Sequence, residues 1–427
     1  MLKALQQTYL AVFRHYPVLV PLAIITACGE LVYAGINNYS LPLLLQRQGR
    51  SLGLAQVSEV GLVLGYVTST FLLSETLLRI PFGRLSDRWG RARLIALGPL
   101  VGAASPSLLA NVSHYTWIYP LRVVDGLGAA ALWPSLFALV GDRVDRAWRA
   151  SAMCVMNMFY LGAVALAPML AGLVISGTRS YRAPFYGASG LLLAAGLVAI
   201  FWLGRMRPAS SDGGEAEPDQ GQAAARPRVL WQVAVMLAIT FSQTFAVIML
   251  APFLVLYASA ELGLAETRVA LLFVGPAIGV ALLSIPFGRL ADRWSREAAV
   301  KLALVAAAAA MWLLPQTSRL PLLMAIATLF GLAYALGTPA WFALLSDIAP
   351  ESRRGRVFGS FGTAQGLGAI AGPLVGGHLW GLAHHYPFYA SAVTLTLSAL
   401  LAVLALRPHA PSPAVPAPDR GGLGGHV

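Results

Sequence analysis

The chain contains 427 residues, of which 57% are hydrophobic and only 11% are charged, whereas a soluble domain carries about 25% charged residues. This composition excludes an ordinary soluble globular protein and predicts a membrane protein. The formal net charge of +12 would suit a nucleic-acid-binding protein, but the distribution of the basic residues, described below, argues against that partner. The two cysteines, Cys28 and Cys154, lie in apolar stretches and lack metal-ligand spacing, so no disulfide, metal or other cofactor is expected.

Apolar stretches, taken in chain order, predict twelve transmembrane helices. They lie near residues 17–45, 57–80, 93–111, 115–141, 150–176, 184–204, 230–258, 267–287, 297–315, 320–346, 356–380 and 386–406. Each is at least about the 17–25 residues that a helix needs to cross the hydrocarbon core, and several are longer. Helices buried in a soluble protein would show polar faces with helical period, and almost none of these stretches does. The predicted fold class is therefore an all-α membrane protein.

The sequence contains an internal repeat. The segment PFGRLSDRWGR begins at Pro81, and PFGRLADRWSR begins at Pro286, 205 residues later. Matching glycines, prolines and acids at the same offset extend the repeat, so two pseudo-symmetric six-helix halves are predicted. The predicted parts are an N-terminal half at 1–204, a linker at 205–229, a C-terminal half at 230–406 and a tail at 407–427. The composition of the linker and the tail predicts disorder.

The basic residues predict the orientation in the membrane. With the N-terminus in the cytoplasm, 22 of the 30 Lys and Arg residues fall on the cytoplasmic side and six fall on the opposite side. This asymmetry follows the positive-inside rule. It predicts a multi-pass protein of the plasma membrane (the bacterial inner membrane) with both termini and the linker in the cytoplasm. The net charge is then explained without nucleic acid.

The doubled motif, GRLSDRWGR between helices 2 and 3 and GRLADRWSR between helices 8 and 9, resembles that of the major facilitator superfamily of transporters. The resemblance covers essentially residues 10–406. It implies two six-helix halves that enclose one substrate cavity near the membrane midplane and rock to open it to alternate sides. This chain departs from the usual motif at Ala92, where a second basic residue is common, and at Ser295, where glycine is common.

The repeated motif is expected to form a cytoplasmic gate. Gly83 allows close helix approach, and Asp87 is placed to accept hydrogen bonds from the N-terminus of a helix in the other half, which by the family pattern is helix 11. Arg91 is expected to hold Asp87, and Asp142 to hold Arg91. The predicted gate residues are Gly83, Asp87, Arg88, Arg91, Asp142, Gly288, Asp292, Arg293, Arg296 and Asp347. The alternative is that these clusters only supply positive-inside charge.

Five ionisable residues lie within predicted spans, where charge is costly and usually functional. Glu75 and Arg79, at i and i+4 near the cytoplasmic end of helix 2, are expected to form an ion pair that supports the gate. Arg122 and Asp125 lie in LRVVDGLGAA, which resembles the helix-4 motif of the drug:proton antiporters of the family. Glu30, Arg122 and Asp125 are the predicted proton-coupling residues. Glu30 is ranked ahead of Asp125 as the carrier, because Asp125 shares a helix with its natural partner Arg122. The alternative is a structural ion pair that fixes helix 1 against helix 4.

Polar and aromatic residues within the spans predict the lining of the substrate cavity. The candidates are Tyr33, Asn37, Trp133, Asn157, Gln243, Tyr334 and Gln365. Packing between helices is the alternative for each of them. In helix 11, Gly368, Gly372 and Gly376 form a stripe of small residues that predicts close packing against another helix.

Together these features predict a secondary active transporter that exports small, amphipathic organic molecules in exchange for protons. The expected partners are the substrate, protons and the lipid bilayer, and the chain is expected to act as a monomer. The alternatives are a proton symporter or facilitator for nutrient uptake and a receptor built on a transporter fold. An enzyme is not expected, because no loop offers a nucleophile and base, a metal triad or a phosphate-binding loop.

Overall fold

The computed structural model describes residues 12–204, 227–348 and 354–406, and within them the regular elements are helices. The N-terminal half contains α1 (Leu19–Gln48), α2 (Val57–Trp89), α3 (Arg91–Leu109), α4 (Ile118–Arg143), α5 (Arg146–Thr178) and α6 (Ala183–Leu203). The C-terminal half contains α7 (Pro227–Ala260), α8 (Val274–Trp294), α9 (Arg296–Leu313), α10 (Leu320–Ile348), α11 (Arg354–Leu382) and α12 (Tyr386–Ala405). A short helix, Glu266–Leu271, precedes α8.

The twelve long helices of the described residues confirm the predicted fold class. Ten of them are long and apolar enough to cross a membrane, and the other two are α8 and α11. Helix α7 begins at Pro227, inside the predicted linker of 205–229. The rest of that linker, 205–226, and the tail at 407–427 lie outside the described residues.

The two copies of the repeated motif connect one helix to the next by different means. Helix α2 ends at Trp89 and is followed by Gly90, whose φ of 96° lies in the left-handed region that favours glycine. The matching residue of the second copy, Ser295, has an extended backbone, and its Oγ accepts a hydrogen bond from the backbone N–H of Ala298 at 3.2 Å. This bond satisfies one of the free N–H groups at the start of α9. Ser295 therefore replaces a glycine turn with a helix cap.

The stripe of small residues on α11 packs against α7. A Cβ added at Gly368 would lie 2.4 Å from the backbone oxygen of Phe241, and one added at Gly372 would lie 2.4 Å from that of Phe245. Both distances are far shorter than a carbon and an oxygen tolerate, so only glycine lets the two backbones approach this closely. The predicted close packing is confirmed.

The two halves are joined at one end of the bundle. We call the end that carries the α2–α3 turn the motif side and the opposite end the far side. On the far side, Glu266 of the C-terminal half contacts three residues of the N-terminal half. Arg47 Nη2 lies 3.2 Å from Glu266 Oε1, and the Tyr181 hydroxyl donates to the same oxygen at 2.5 Å. The hydroxyl of Tyr39 donates to the backbone carbonyl of Glu266.

On the motif side, the described residues of the two halves make fewer contacts. Helices α2 and α11 touch towards the far side, where a Cβ added at Gly65 would lie 2.4 Å from the backbone oxygen of Pro373. Further along α2, Leu77 and Ile80 are exposed, and a Cβ added at Gly83 would meet nothing within 4 Å. Among the described residues, the close approach expected at Gly83 is therefore absent, and this part of the chain is closed on the far side and open on the motif side.

We expect Glu266→Gln to loosen the far side, because it removes the charge that holds Arg47 and weakens the acceptor for Tyr181. Hydrogen bonds to charged groups contribute about 1.5–3 kcal/mol, less where water screens them. Spin labels at Ser58 on α2 and Leu382 on α11 should then show a longer distance component. Glu261→Gln is the matched control, since Glu261 pairs with His384 inside the C-terminal half. Unchanged distances in Glu266→Gln would show that this contact does not hold the far side closed.

The same contact should be insensitive to moderate acid. Partial burial acts to raise the pKa of Glu266, but the hydrogen bond from Tyr181, the residue's own backbone and Arg47 together outweigh it and hold the pKa below the ordinary value of 4.5. A depressed pKa means that the stabilising charge is present above the ordinary value and is lost only as the pH falls through the folded value. The label distances should therefore agree at about pH 7 and about pH 5.

Candidate functional site

A cavity of about 360 Å³ lies between the two halves, and residues of both halves line it. Its charged lining residues are Glu30 on α1 and Glu75 and Arg79 on α2, all from the N-terminal half. The described C-terminal half contributes apolar, aromatic, hydroxyl and amide groups to the lining. Among the described residues, no group of three or more His, Cys, Asp or Glu is placed to hold a metal ion. The cavity is therefore charged on one side and neutral on the other.

Most of the predicted lining residues reach this cavity. Those that do are Tyr33, Asn37, Trp133, Gln243, Tyr334 and Gln365. Asn157 does not: it is exposed, and it lies outside the cavity, one turn closer to the motif side than Tyr160, which does line it. In this structure Asn157 therefore does not line the cavity as expected.

Aromatic rings from four helices form one wall of the cavity. The ring of Tyr33 on α1 stacks on that of Phe71 on α2 with centroids 5.7 Å apart. Trp133 on α4 packs edge-on against Tyr33 at 6.5 Å and against Tyr160 on α5 at 5.4 Å. Such pairs contribute about 0.5–1.5 kcal/mol each beyond area burial. They give the wall a fixed, apolar surface suited to flat or apolar molecules.

The predicted ion pair between Arg122 and Asp125 forms, but it is sealed off from the cavity. Arg122 is 0% exposed, and its Nη1 lies 2.6 Å from Asp125 Oδ2. Its Nη2 donates to the side-chain oxygen of Asn37 on α1, and the ring of Phe71 covers the guanidinium at 4.5 Å. Neither Arg122 nor Asp125 lines the cavity. Arg122 therefore joins α4 to α1, and it does so through Asn37.

Glu30 has a different environment from Arg122 and Asp125, the other two predicted proton-coupling residues. It is 7% exposed and lines the cavity, and within the described residues no Lys or Arg lies at ion-pair distance from its carboxyl group. Its neighbours are the Tyr160 hydroxyl, within hydrogen-bonding reach, and Glu75, close enough for the two charges to interact. Glu30 is thus a buried acid without a cationic partner in the described part of the chain.

Glu75 and Arg79 form the predicted ion pair, with Arg79 Nη2 at 2.6 Å from Glu75 Oε1. However, both residues line the cavity, whereas the predicted span of 57–80 places them near the cytoplasmic end of helix 2. The length of α2 explains the difference. The helix continues to Trp89, which at about 1.5 Å per residue puts Glu75 about 21 Å inside that end. Counting along the motif to the end of the helix would have revealed this.

The first copy of the motif contains the predicted acid–base chain. Arg91 Nε lies 2.8 Å from Asp142 Oδ2, and Arg91 Nη2 lies 3.6 Å from Asp87 Oδ1. The side chain of Asp87 is 66% exposed, and Arg88 is exposed as well. The side chains at the start of α11 lie outside the described residues, so the contact from Asp87 to α11 stays a prediction.

In the second copy, Arg296 begins α9 and is half-buried. The other predicted gate residues of this copy fall in α8 and α10, and their side chains lie outside the described residues: Gly288, Asp292, Arg293 and Asp347. The gate that these residues were expected to complete therefore also stays a prediction.

Comparisons with known proteins agree with this architecture. The sequence model of the Major Facilitator Superfamily matches residues 22–247 and 236–424. Multidrug resistance protein 2 of Bacillus subtilis (strain 168) is 26% identical over 336 residues, which cover 77% of this chain and 82% of the relative. The quinolone resistance protein NorA of Staphylococcus aureus (strain MRSA252) is 23% identical over 351 residues, which cover 81% of this chain and 88% of the relative.

Solved transporter structures share the fold. The nucleoside transporter NupG superposes with a TM-score of 0.72 at 13% identity, covering 91% of this chain and 100% of that one. A bacterial homologue of the human lysosomal transporter Spinster superposes with a TM-score of 0.69 at 15% identity, covering 91% of this chain and 96% of that one. With its helices, its doubled motif and a family match over both halves, the chain belongs to the Major Facilitator Superfamily and is a multi-pass membrane transporter of small molecules, similar to multidrug efflux proteins.

Proposed function

We propose that the protein exports small, amphipathic organic molecules in exchange for protons by alternating access. The observation that carries the proposal is Glu30, a carboxyl group 7% exposed that faces the cavity and has no cation at ion-pair distance in the described part of the chain. A carboxyl group in a low-dielectric cavity holds its proton more strongly than one in water. Such a group binds and releases a proton as its access to water changes.

The cavity suits the proposed substrates. Its aromatic wall of Tyr33, Phe71, Trp133 and Tyr160 offers apolar contact area, and its amide and hydroxyl groups offer hydrogen bonds to varied molecules. The names of two relatives, a multidrug resistance protein and a quinolone resistance protein, support export of such compounds.

The proposed orientation places the motif side, the linker and both termini in the cytoplasm of a bacterial inner membrane, with the chain acting as a monomer. The excess of basic residues on that side supports this orientation. In this orientation the structure is the state that loads substrate from the cytoplasm. The motif residues around Asp87, Arg91 and Asp142 would close this side in the opposite state.

Proton coupling fits the energetics of export. Each pH unit of gradient supplies about 1.4 kcal/mol per proton, and each 100 mV supplies about 2.3 kcal/mol per charge. One proton per molecule therefore sustains at least a tenfold concentration ratio for each pH unit.

Transport into everted membrane vesicles tests the proposal, with ethidium, a lipophilic fluorescent cation, as the probe. An acidic vesicle lumen should drive accumulation of ethidium, and ethidium should dissipate the proton gradient. Vesicles without the protein are the control. Accumulation that ignores the pH gradient would contradict proton exchange. Substrate leaving the lumen together with protons would instead indicate a proton symporter for uptake.

A further inference from the structure

The cavity holds a second carboxylate, Glu75, and the side chain of its cationic partner Arg79 is half exposed. Building on the proposed proton exchange, we propose that Glu75 and Arg79 belong to the coupling site. Glu30 and Glu75 exchange protons as one coupled pair, and Arg79, rather than Arg122, is the cation that controls release of the proton.

Arg122 is poorly suited to that role. Its guanidinium is fully buried, bonds to Asp125 and Asn37, and is covered by the ring of Phe71. Because the Phe71 ring lines the cavity and Arg122 does not, a substrate in the cavity meets the ring before the charge. A charge held by so many fixed contacts stays in place while substrate enters and leaves.

Glu75 shares the environment of Glu30. The two side chains belong to residues 6% and 7% exposed, both line the cavity, and their charges interact. Tyr160, which contacts Glu30, also interacts with Glu75. Two carboxylates in a low-dielectric site rarely ionise together. When such groups interact strongly, their protons belong to the pair rather than to either residue.

Arg79 is the movable member of the group. Its Nη2 lies 2.6 Å from Glu75 Oε1, and its side chain is 46% exposed whereas that of Glu75 is 8% exposed. The long Arg79 side chain, already half exposed, can leave Glu75 once a proton neutralises the Glu75 carboxylate. While Arg79 contacts Glu75, the net charge of Glu30, Glu75 and Arg79 together is zero when the two acids share one proton.

The remaining titratable groups around the pair do not change this balance. They are Tyr33 on α1, Arg122 and Asp125 on α4, Tyr160 on α5 and Tyr334 on α10. The tyrosines are neutral at physiological pH, and Arg122 and Asp125 compensate each other. Within the described residues, Arg79 is then the cation whose movement alters the charge on the pair.

The proposed step moves one proton and no electrons. While the cavity is closed to the motif side, the proton rests on a carboxyl oxygen of the Glu30–Glu75 pair. When that side opens, water enters and a water molecule accepts the proton, which leaves two carboxylates, one of them balanced by Arg79. The O–H bond breaks, and the proton leaves as hydronium into the motif-side water. Substrate then enters the cavity beside the deprotonated pair, so that substrate and proton occupy the site in turn.

Infrared difference titration of the purified full-length protein in lipid nanodiscs tests the coupled pair without any substrate. The wild type should show one protonated carboxyl band that disappears with rising pH and is absent in Glu30→Gln. The midpoint is the pH at which half of this band is lost. Arg79→Ala should raise it by about one pH unit or more, because an adjacent arginine lowers the pH at which an acid ionises. Glu75→Gln should move it down, because Glu30 then gains Arg79 and loses a like charge.

Arg84→Ala is the matched control, since Arg84 lies on the same helix at an exposed position, and its midpoint should equal that of the wild type. Arg79→Lys keeps the charge and should restore the wild-type midpoint, which separates a charge effect from a folding defect. Midpoints of Arg79→Ala and Glu75→Gln equal to that of the control would overturn the proposal, as would a wild type without a titrating band.

Ethidium transport distinguishes this inference from the proposed function. If the wild type accumulates ethidium in response to the pH gradient, but the midpoints of Arg79→Ala and Glu75→Gln do not shift, the proposed function stands and the coupled pair is wrong. If the midpoint rises in Arg79→Ala and falls in Glu75→Gln, but the wild type shows no pH-driven transport, the coupled pair stands and the proposed function is wrong.

Discussion

Glu30→Gln is expected to abolish proton-driven accumulation of substrate while sparing substrate binding and downhill exchange. Glutamine keeps the shape and the hydrogen bonding towards Tyr160 but cannot carry a proton. With one proton exchanged per molecule, the wild type should reach about a tenfold concentration ratio for each pH unit. The variant should reach a ratio of about one, since substrate then equilibrates without a driving ion.

Ethidium accumulation in everted vesicles measures the loss of proton-driven transport, and ethidium binding to the purified protein measures whether binding is spared. Glu30→Asp is the matched control, because it retains a carboxyl group and should retain pH-driven accumulation at a reduced rate. Uphill transport by Glu30→Gln at the wild-type rate, with unchanged pH dependence, would show that Glu30 is not the carrier. If Glu30→Gln combined with Asp125→Asn also transported uphill, coupling through the predicted site of Glu30, Arg122 and Asp125 would be wrong.

The second large effect concerns stability. Arg122→Met should destabilise the protein by about 3–5 kcal/mol, because it leaves the Asp125 carboxylate buried without a partner. Asp125 is 1% exposed, and one of its oxygens already lacks a hydrogen-bond partner. The loss of the bond to Asn37 also frees α4 from α1. The expected result is a large fall in the thermal unfolding temperature of the detergent-solubilised protein.

A double variant shows whether the pair or the arginine alone matters. Arg122→Met with Asp125→Leu removes both charges and should recover most of the lost stability, because well-packed apolar residues often replace a buried ion pair without penalty. Arg84→Ala, an exposed arginine of α2, serves as the control and should behave as the wild type. A single Arg122→Met variant as stable as the wild type would show that Asp125 finds another partner or takes up a proton.

The sequence alone determined the features that depend on the local pattern along the chain. Twelve apolar stretches of sufficient length, the repeat at an offset of 205 residues, the i,i+3 and i,i+4 ion pairs and the glycine stripe of α11 all follow from composition and helical period. A helix of about 3.6 residues per turn brings residues three and four apart together whatever surrounds it. For the same reason the links from Arg91 to Asp87 and from Arg122 to Asp125 could be predicted.

Only the tertiary structure decided which buried charges meet the cavity and which end of the bundle is closed. Arg122 and Asp125 lie behind Phe71, whereas Glu75 and Arg79 face the cavity with Glu30, because each helix is rotated by its packing against neighbours far away in the chain. The far-side contact of Glu266 with Arg47 and Tyr181 joins residues more than 80 positions apart, and no local pattern encodes it. The sequence of a transporter is compatible with both open states, so the space beside Gly83 among the described residues belongs to the conformation and not to the sequence.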